Sequence, residues 1–237
     1  MRKKIIFSLG LVWLITCGFG GPAPKLPEKT APAQTVMGDS FLIDNFENGD
    51  FTTNPVWWQF DHITPKVVEN TGYKSGDPDV VKEIGQYSLK ITGNATNWYA
   101  GGMGTYLAKE GQDLGGYNTL QLDVFGHGVG SGTIKIELVD DDKGNWKIEQ
   151  DSKGVPLYDD LFTYNLTVDW DGWKRIGIPL ADFTLENPGH GNGVLILSPV
   201  NKGGGLLQIQ FIFIGAKESG PLGFSLDNIK LVKGRLP

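Results

Sequence analysis

The chain has 237 residues, of which 40% are hydrophobic and 20% charged, and it contains 34 glycines. This composition excludes a disordered chain, and the length suits one domain with additional segments. The net charge of −6 and the lack of a basic run argue against nucleic acid as a partner.

The amino terminus has the pattern of an export signal. Three basic residues at positions 2–4 precede an apolar run, Ile5 to Ile15, that is too short to span a membrane. The run ends at Leu14-Ile15-Thr16-Cys17, which resembles the lipobox of bacterial lipoproteins, and Cys17 is the only cysteine. We therefore expect residues 1–17 to be a signal peptide of the lipoprotein type with Cys17 lipidated, and ordinary secretion with cleavage nearby is the alternative.

The chain after the signal divides into a linker and one domain. Residues 18–38 are rich in proline and predict an extended tether, and residues 39–237 form the predicted domain. Without the signal, the chain has 18 basic and 27 acidic residues, and its negative net charge suits neutral ligands and divalent cations. We expect an exported protein, either secreted or a lipoprotein at the bacterial cell envelope or surface that touches the membrane only through its lipid.

The predicted domain is all-β. Apolar residues alternate with polar ones most clearly in 119–125, 133–139 and 206–214, the period of half-buried strands. Further strands are expected at the two ends of the domain, from Trp146 onward, and at 87–92, 97–107, 162–168 and 173–180. Residues 62–84 are polar and are expected to form a long loop. Roughly ten strands at hairpin spacing predict a two-sheet antiparallel β-sandwich.

Both ends of the domain interrupt their alternation at an Asp-Asn pair. Near the amino end, the apolar positions slip by one residue between Ile43 and Phe46, and near the carboxyl end they slip at Asp227-Asn228. Matching slips predict β-bulges in a first and a last strand that lie side by side. Carboxylates there would suit a shared cation, since calcium takes six to eight oxygen ligands, and the candidates are Asp44, Glu47 and Asp227.

Six short motifs occur in an order typical of a known family. They are Ile43-Asp44-Asn45-Phe46-Glu47-Asn48-Gly49, Tyr87-Ser88-Leu89-Lys90-Ile91, Tyr99-Ala100-Gly101-Gly102, Asp113-Leu114-Gly115-Gly116-Tyr117, the run from Trp173 to Phe183, and Phe224-Ser225-Leu226-Asp227-Asn228-Ile229. Over about 41–232 the chain resembles the galactose-binding-like jelly rolls, specifically family 11 carbohydrate-binding modules and complex I intermediate-associated protein domains. The resemblance implies a jelly roll and a structural calcium near the paired termini, with Glu47 and Asp227 as the better ligands. It also implies a concave sheet face that binds β-glucan chains.

A polysaccharide or oligosaccharide ligand requires flat aromatic rings for the apolar faces of the sugars and planar polar groups for their hydroxyls. The aromatic candidates are Trp57, Trp58, Trp98 and Tyr99. The polar candidates, at outward strand positions, are Gln121, Asp123, Glu137, Gln208 and Gln210. The alternative is that the large aromatics fill the core and the polar positions form a solvated face.

The sequence offers little for catalysis. No paired-carboxylate strand motif of the β-glucanase type is present, and the three histidines follow no zinc-binding spacing. The run Asp140-Asp141-Asp142 with Asn145 looks like a calcium loop, but it lacks the ligand spacing of an EF-hand and its distal glutamate, so an acidic hairpin tip is expected instead. We therefore predict non-catalytic carbohydrate binding; a structural lipoprotein that docks a protein partner and a glycan-active enzyme remain the alternatives.

Overall fold

A computed structural model of the protein describes residues 39–72, 75–107, 109, 112–199 and 203–234. The predicted signal peptide, the linker at 18–38 and Cys17 lie outside these residues. The described part contains one short α-helix, α1 (Pro78–Glu83), two 3-10 helices of three residues each (Asn70–Gly72 and Leu180–Asp182), and twelve strands. The strands are β1 (Ser40–Asp44), β2 (Trp57–Asp61), β3 (Ile63–Glu69), β4 (Tyr87–Thr96), β5 (Tyr99–Tyr106), β6 (Thr119–His127), β7 (Gly132–Asp141), β8 (Leu161–Val168), β9 (Asp171–Pro179), β10 (Thr184–Leu185), β11 (Gly205–Ile214) and β12 (Ser219–Val232).

The strands form one antiparallel sheet that curls into two layers. The first layer has the order β2-β5-β11-β7-β8-β10, and the second has the order β3-β4-β12-β6-β9. A single residue pair, Thr96 with Tyr99, joins β4 to β5 and so connects the layers. Phe213 of β11 stacks on Phe224 of β12 with ring centroids 5.7 Å apart, which places the core between the layers. The predicted all-β sandwich is confirmed.

Alternation along the strands builds this core. Ile134, Ile136 and Leu138 of β7 are fully buried, as are Phe211 and Phe213 of the neighbouring β11. Burying a side chain of this size stabilises the fold by about 1.5–3 kcal/mol. The intervening residues of both strands point away from the core, so one outer surface of the first layer is free to carry polar and aromatic groups.

The two ends of the domain pair as predicted. Strand β1 runs antiparallel to the last part of β12, with Phe41 opposite Leu231, and its register shifts between Leu42 and Asp44. The register of β12 against β6 shifts between Asp227 and Lys230. Each shift places a residue in the left-handed region nearby, Phe46 at φ 55° and Asn228 at φ 47°.

Two local predictions were wrong. Residues 62–84 are not a long loop, because they contain β3 and α1, whose Asp77 cap accepts the N–H of Asp79. Trp146 begins no strand, because the carboxylate of Asp141 accepts its N–H at 2.7 Å and bends the chain into a loop. Within the described residues, no helix is long and apolar enough to cross a membrane.

Candidate functional site

The outer surface of the first layer gathers aromatic and polar side chains into what we call the Trp58 face. We define this face by Trp58, Phe60, Tyr106, Gln208, Gln210, Glu137 and Lys135. The strand register places these residues together in a row that crosses four strands. Trp58 of β2 lies opposite Gly104 of β5, and Gly104 lies opposite Gln210 of β11. Gln210 in turn lies opposite Glu137 of β7. Residues that lie directly opposite each other in a sheet project to the same side.

Two glycines of β5 let the aromatic rings of β2 lie against the sheet. A Cβ on Gly104 would lie 2.5 Å from Cζ2 of Trp58, and one on Gly102 would lie 2.4 Å from Cζ of Phe60. Both rings therefore cover the backbone of β5, and both remain partly exposed to solvent. Tyr106 packs beside Trp58 with centroids 4.6 Å apart and is 61% exposed. The result is an aromatic surface at the β2 edge of the sheet.

A hydrogen-bonded polar row continues from these rings. Nε2 of Gln208 donates to Oε1 of Gln210 at 3.5 Å, and Nε2 of Gln210 donates to Oε2 of Glu137 at 2.7 Å. The other Glu137 oxygen lies 3.0 Å from Nζ of Lys135, which also pairs with Glu186 at 2.8 Å. Because the side chains of Lys135 and Glu137 are only 21% and 12% exposed, these contacts hold them in fixed positions.

Tyr99 extends the same surface. It lies opposite Ile214 on β11, and its hydroxyl donates to Oδ2 of Asp61. Burial, the hydrogen bond to Asp61 and the negative charges of Asp61 and Glu137 raise the pKa of Tyr99 above its usual range. The hydroxyl therefore keeps its proton and serves as a hydrogen-bond donor at neutral pH.

Two of the predicted aromatic residues lie elsewhere. Trp57 is 3% exposed, stacks on Phe211, and donates its indole N–H to Asp44 at 2.7 Å, so it belongs to the core rather than to a ligand surface. Trp98 is 49% exposed in the tight turn between β4 and β5, where both Asn97 and Trp98 have positive φ. Positive φ at both positions is the geometry of a type I′ hairpin turn.

Gln121 and Asp123 lie on the other layer, in β6, and the structure does not bring them to the Trp58 face. Asp123 is fully buried and accepts two bonds from Arg175, at 2.8 and 2.9 Å. Arg175 also pairs with Glu83 at the end of α1, at 2.6 Å. Asp123 thus belongs to a partly buried ion pair near α1, and Gln121 is buried as well. An outward position on a strand is buried when another element covers it.

The acidic residues predicted to bind a cation near the termini lie close enough for their charges to repel one another. Two of them, however, already accept hydrogen bonds from other groups of the protein. Asp44 accepts bonds from Phe46 N–H and Trp57, and Glu47 accepts from two N–H groups at the start of β4. One oxygen of Asp227 is buried without a partner. Burial and the charges of Asp123, Glu47 and Asp44 raise the pKa of Asp227 to about 8, and an orphaned carboxylate among like charges fits a cation.

A second acidic group lies at the run 140–142, which the sequence analysis interpreted as a hairpin tip rather than as a calcium loop. Asp140, Asp142 and Asp160 place carboxylate oxygens within 4.8 Å of one another and could hold a metal ion. Asp140 and Asp141 are 1% and 2% exposed, so the expectation of a solvated hairpin tip at 140–142 was wrong. Burial and the charges of Asp142 and Asp160 raise the pKa of Asp140 to about 8.

The sequence-based list missed Phe60 and Tyr106, although signals for them were present. Phe60 follows Trp58 by two residues, and Tyr106 follows Gly104 by two, so alternation places each on the same side as its partner. Lys135 shares a face with Glu137 for the same reason. Only the pairing of β2 with β5 and of β5 with β11 brings these positions together, and no local pattern reveals those pairings.

No family model matches the chain, and no curated protein matches it. Among solved structures, it is similar to a family 11 carbohydrate-binding module from Clostridium thermocellum in complex with a β-1,3-1,4-mixed-linked tetrasaccharide. Identity is 21%, the match covers 83% of this chain and 96% of that one, and the TM-score is 0.51. An exo-β-agarase is 14% identical, with 82% of this chain and 25% of that chain covered and a TM-score of 0.51. These similarities confirm, at the level of the fold, the resemblance to the family 11 modules.

Proposed function

We propose that the protein binds carbohydrate without catalysis, holding a β-glucan-like chain across the Trp58 face. The observation that carries the proposal is the position of the Trp58 ring, which lies over Gly104 and is partly exposed beside the polar row of Gln210 and Glu137. The structurally similar family 11 module, which is complexed with a mixed-linked β-glucan tetrasaccharide, supports the choice of ligand class.

The chemistry of the face suits a sugar chain. The ring faces of Trp58 and Tyr106 match the apolar faces of pyranose rings, and the amides and carboxylates of the polar row match paired hydroxyls. Bonds among Gln208, Gln210 and Glu137 fix these side chains before the ligand arrives, which reduces the entropy lost on binding. Affinity is expected to be modest per contact, since sugar hydroxyls give up good hydrogen bonds to water.

The proposed role is non-catalytic, and it is supported by the described carboxylates on and beside this face, Glu137 and Asp61, which are held by neighbouring side chains. Glu137 is bonded to Gln210 and Lys135, and Asp61 is bonded to Tyr99. Hydrolysis of a glycosidic bond requires one carboxyl group that can donate a proton and a second that attacks or activates water. The test is incubation with β-glucans: absence of released reducing sugar fits the proposal, and sustained release would favour the enzyme alternative.

Calcium and a lipid anchor complete the proposal. A structural calcium at the paired termini would use Asp227, with Asp44 and Glu47 beside it, and its charge would offset the repulsion among them. An exported lipoprotein anchored at Cys17, with residues 18–38 as a tether, would hold the face away from a membrane. Mass spectrometry of the protein purified from membranes would detect a diacylated Cys17, and an unmodified Cys17 would refute the anchor.

The binding test uses a glycan array followed by titration calorimetry with mixed-linked β-glucan oligosaccharides. Tyr106→Ala should weaken binding, and Tyr158→Ala serves as the matched control, because Tyr158 is a 46% exposed tyrosine that packs on Lys143 outside the Trp58 face. Lack of binding to every glycan would reject the proposal. In that case the same face would be examined as a docking surface for another envelope protein.

A further inference from the structure

Three aspartates meet where β7 ends and β8 begins. Asp140 lies near the end of β7, Asp142 directly follows that strand, and Asp160 directly precedes β8. Oxygens of the three lie within 4.8 Å of one another, and Asp140 and Asp160 are 1% and 0% exposed. Burying several carboxylates together is costly unless a cation or protons compensate their charge.

The surrounding backbone uses only part of each carboxylate. One segment donates a backbone N–H to the Oδ2 atom of each aspartate: Ile196 to Asp140 at 2.7 Å, Asn192 to Asp142 at 3.0 Å, and Gly193 to Asp160 at 2.5 Å. The Asn192 amide also donates to Oδ1 of Asp142. Oδ1 of Asp140 and Oδ1 of Asp160 are left buried without a partner. Two unpartnered, buried carboxylate oxygens in one cluster require a compensating group.

The protein itself supplies more negative charge here instead of positive charge. Asp159, also fully buried, has a further unpartnered oxygen. The nearby Lys143 pairs with Glu149 at 3.4 Å and lies over the ring of Tyr158. In the part of the chain that the structure describes, none of the ion pairs includes one of the three aspartates.

The backbone also passes unusually close to the cluster. A Cβ on Gly191 would lie 2.0 Å from Oδ2 of Asp142 and 2.5 Å from Oδ1 of Asp160, so a side chain at this position would have to displace both carboxylates. Both oxygens therefore face the same point beside Gly191. The segment that begins there covers the cluster and delivers its N–H groups, as a ligand loop does when it arranges carboxylates around an ion.

We propose that Asp140, Asp142 and Asp160 bind a hard divalent cation, Ca²⁺, at a site separate from the paired termini. Carboxylate oxygens with further carbonyl and water ligands are the coordination that Ca²⁺ accepts, whereas Zn²⁺ prefers histidine and cysteine. The cation ties the end of β7, the start of β8 and the segment 191–196 into one unit. The proposal stands independently of carbohydrate binding.

The experiment uses the purified full chain, freed of metal with a chelator and then titrated with CaCl₂ or MgCl₂. Calorimetry measures binding, and thermal unfolding measures stability. At a hundredfold excess of Ca²⁺ over its Kd, we expect Tm to rise by at least about 5 °C. Asp160→Asn should remove the part of this rise that comes from the cluster and weaken Ca²⁺ binding there by at least about tenfold, since affinity follows the number of charged ligands.

Three further variants make the outcome decisive. Asp142→Asn, at a less buried position, repeats the test if Asp160→Asn fails to fold. Asp169→Asn changes an exposed aspartate and should keep the full response, and Asp227→Asn should keep the part of the response that comes from this cluster. The proposal would be overturned if Ca²⁺ raised the Tm of the wild type and of both cluster variants, Asp160→Asn and Asp142→Asn, by the same amount. It would also be overturned if Ca²⁺ did not raise the Tm of the wild type. A larger response to Mg²⁺ than to Ca²⁺ would overturn the choice of ion.

Discussion

Replacing Trp58 by alanine should separate binding from folding. The side chain is partly buried, with its ring over Gly104 and beside Tyr106, so its removal uncovers less area than the removal of a core tryptophan would. Full burial of a large apolar side chain stabilises by about 1.5–3 kcal/mol, and we expect this half-buried one to cost about 1–2 kcal/mol when removed. For a domain of this size, Tm should fall by about 3–6 °C and the fold should persist.

Trp58→Ala should remove a larger share of the binding free energy than of the free energy of unfolding. Truncation of a central aromatic residue in a binding surface costs about 2 kcal/mol or more. That loss corresponds to a Kd raised about thirtyfold. Calorimetry with a mixed-linked β-glucan oligosaccharide measures this, and circular dichroism at the same temperature verifies that the variant is folded.

A specific result would refute this reasoning. If folded Trp58→Ala binds the oligosaccharide within about threefold of the wild type, the aromatic surface does not carry the ligand. Gly104→Ala offers a second route to the same answer, because its Cβ would lie 2.5 Å from the Trp58 ring and must displace it. Weakened binding in both variants, with Tyr158→Ala unchanged, would support the Trp58 face.

Three further outcomes are expected. Trp57→Phe removes the donor to the buried Asp44 and should lower the free energy of unfolding by about 2 kcal/mol in urea denaturation; an unchanged midpoint would contradict the role of that bond. Glu47→Ala leaves two N–H groups at the start of β4 without acceptors and should lower Tm while sparing sugar affinity, which calorimetry would measure. With metal removed by a chelator, the free energy of unfolding should fall as pH rises from about 4 to 8. Burial raises the pKa of Asp140 and Asp227 to about 8, so the folded state binds more protons than the unfolded chain over this range. Thermal unfolding at pH 5 and pH 8 measures this, and greater stability at pH 8 would contradict it.

Strand alternation predicted much of the fold. The period-2 pattern at 119–125, 133–139 and 206–214 reflects half-buried strands, and all three segments form strands in the structure. The register slips at the two Asp-Asn pairs predicted the bulges and the pairing of β1 with β12, because a bulge displaces every later side chain by one position.

Predictions failed where tertiary contacts decide the outcome. Trp57 and Trp58 are adjacent and chemically identical, and only the position of Asp44 and the β2–β5 pairing determine which of them enters the core. The helix α1 is only six residues long, too short for a helical period to show, and Val80 packs it against Phe125 and Trp173. A short apolar contact of this kind leaves no local pattern in the sequence.

The acidic run at 140–142 was misinterpreted for a related reason. An Asp-rich segment between strands is usually solvated, and nothing near it in the sequence indicates burial. Here the segment 191–196, about 50 residues further along the chain, covers it and donates its N–H groups. The site therefore depends on a long-range contact that composition and spacing do not reveal.

The central claim is that the Trp58 face binds a glucan chain, and one titration tests it most directly. Nuclear magnetic resonance of the labelled protein, titrated with a mixed-linked β-glucan tetrasaccharide, reports on each residue at once. The account predicts that the largest shifts will occur at the indole N–H of Trp58 and the side-chain amides of Gln208 and Gln210, with Gln121 on the other layer unaffected. Saturable shifts confined to residues outside this face, or no shifts at all, would contradict it.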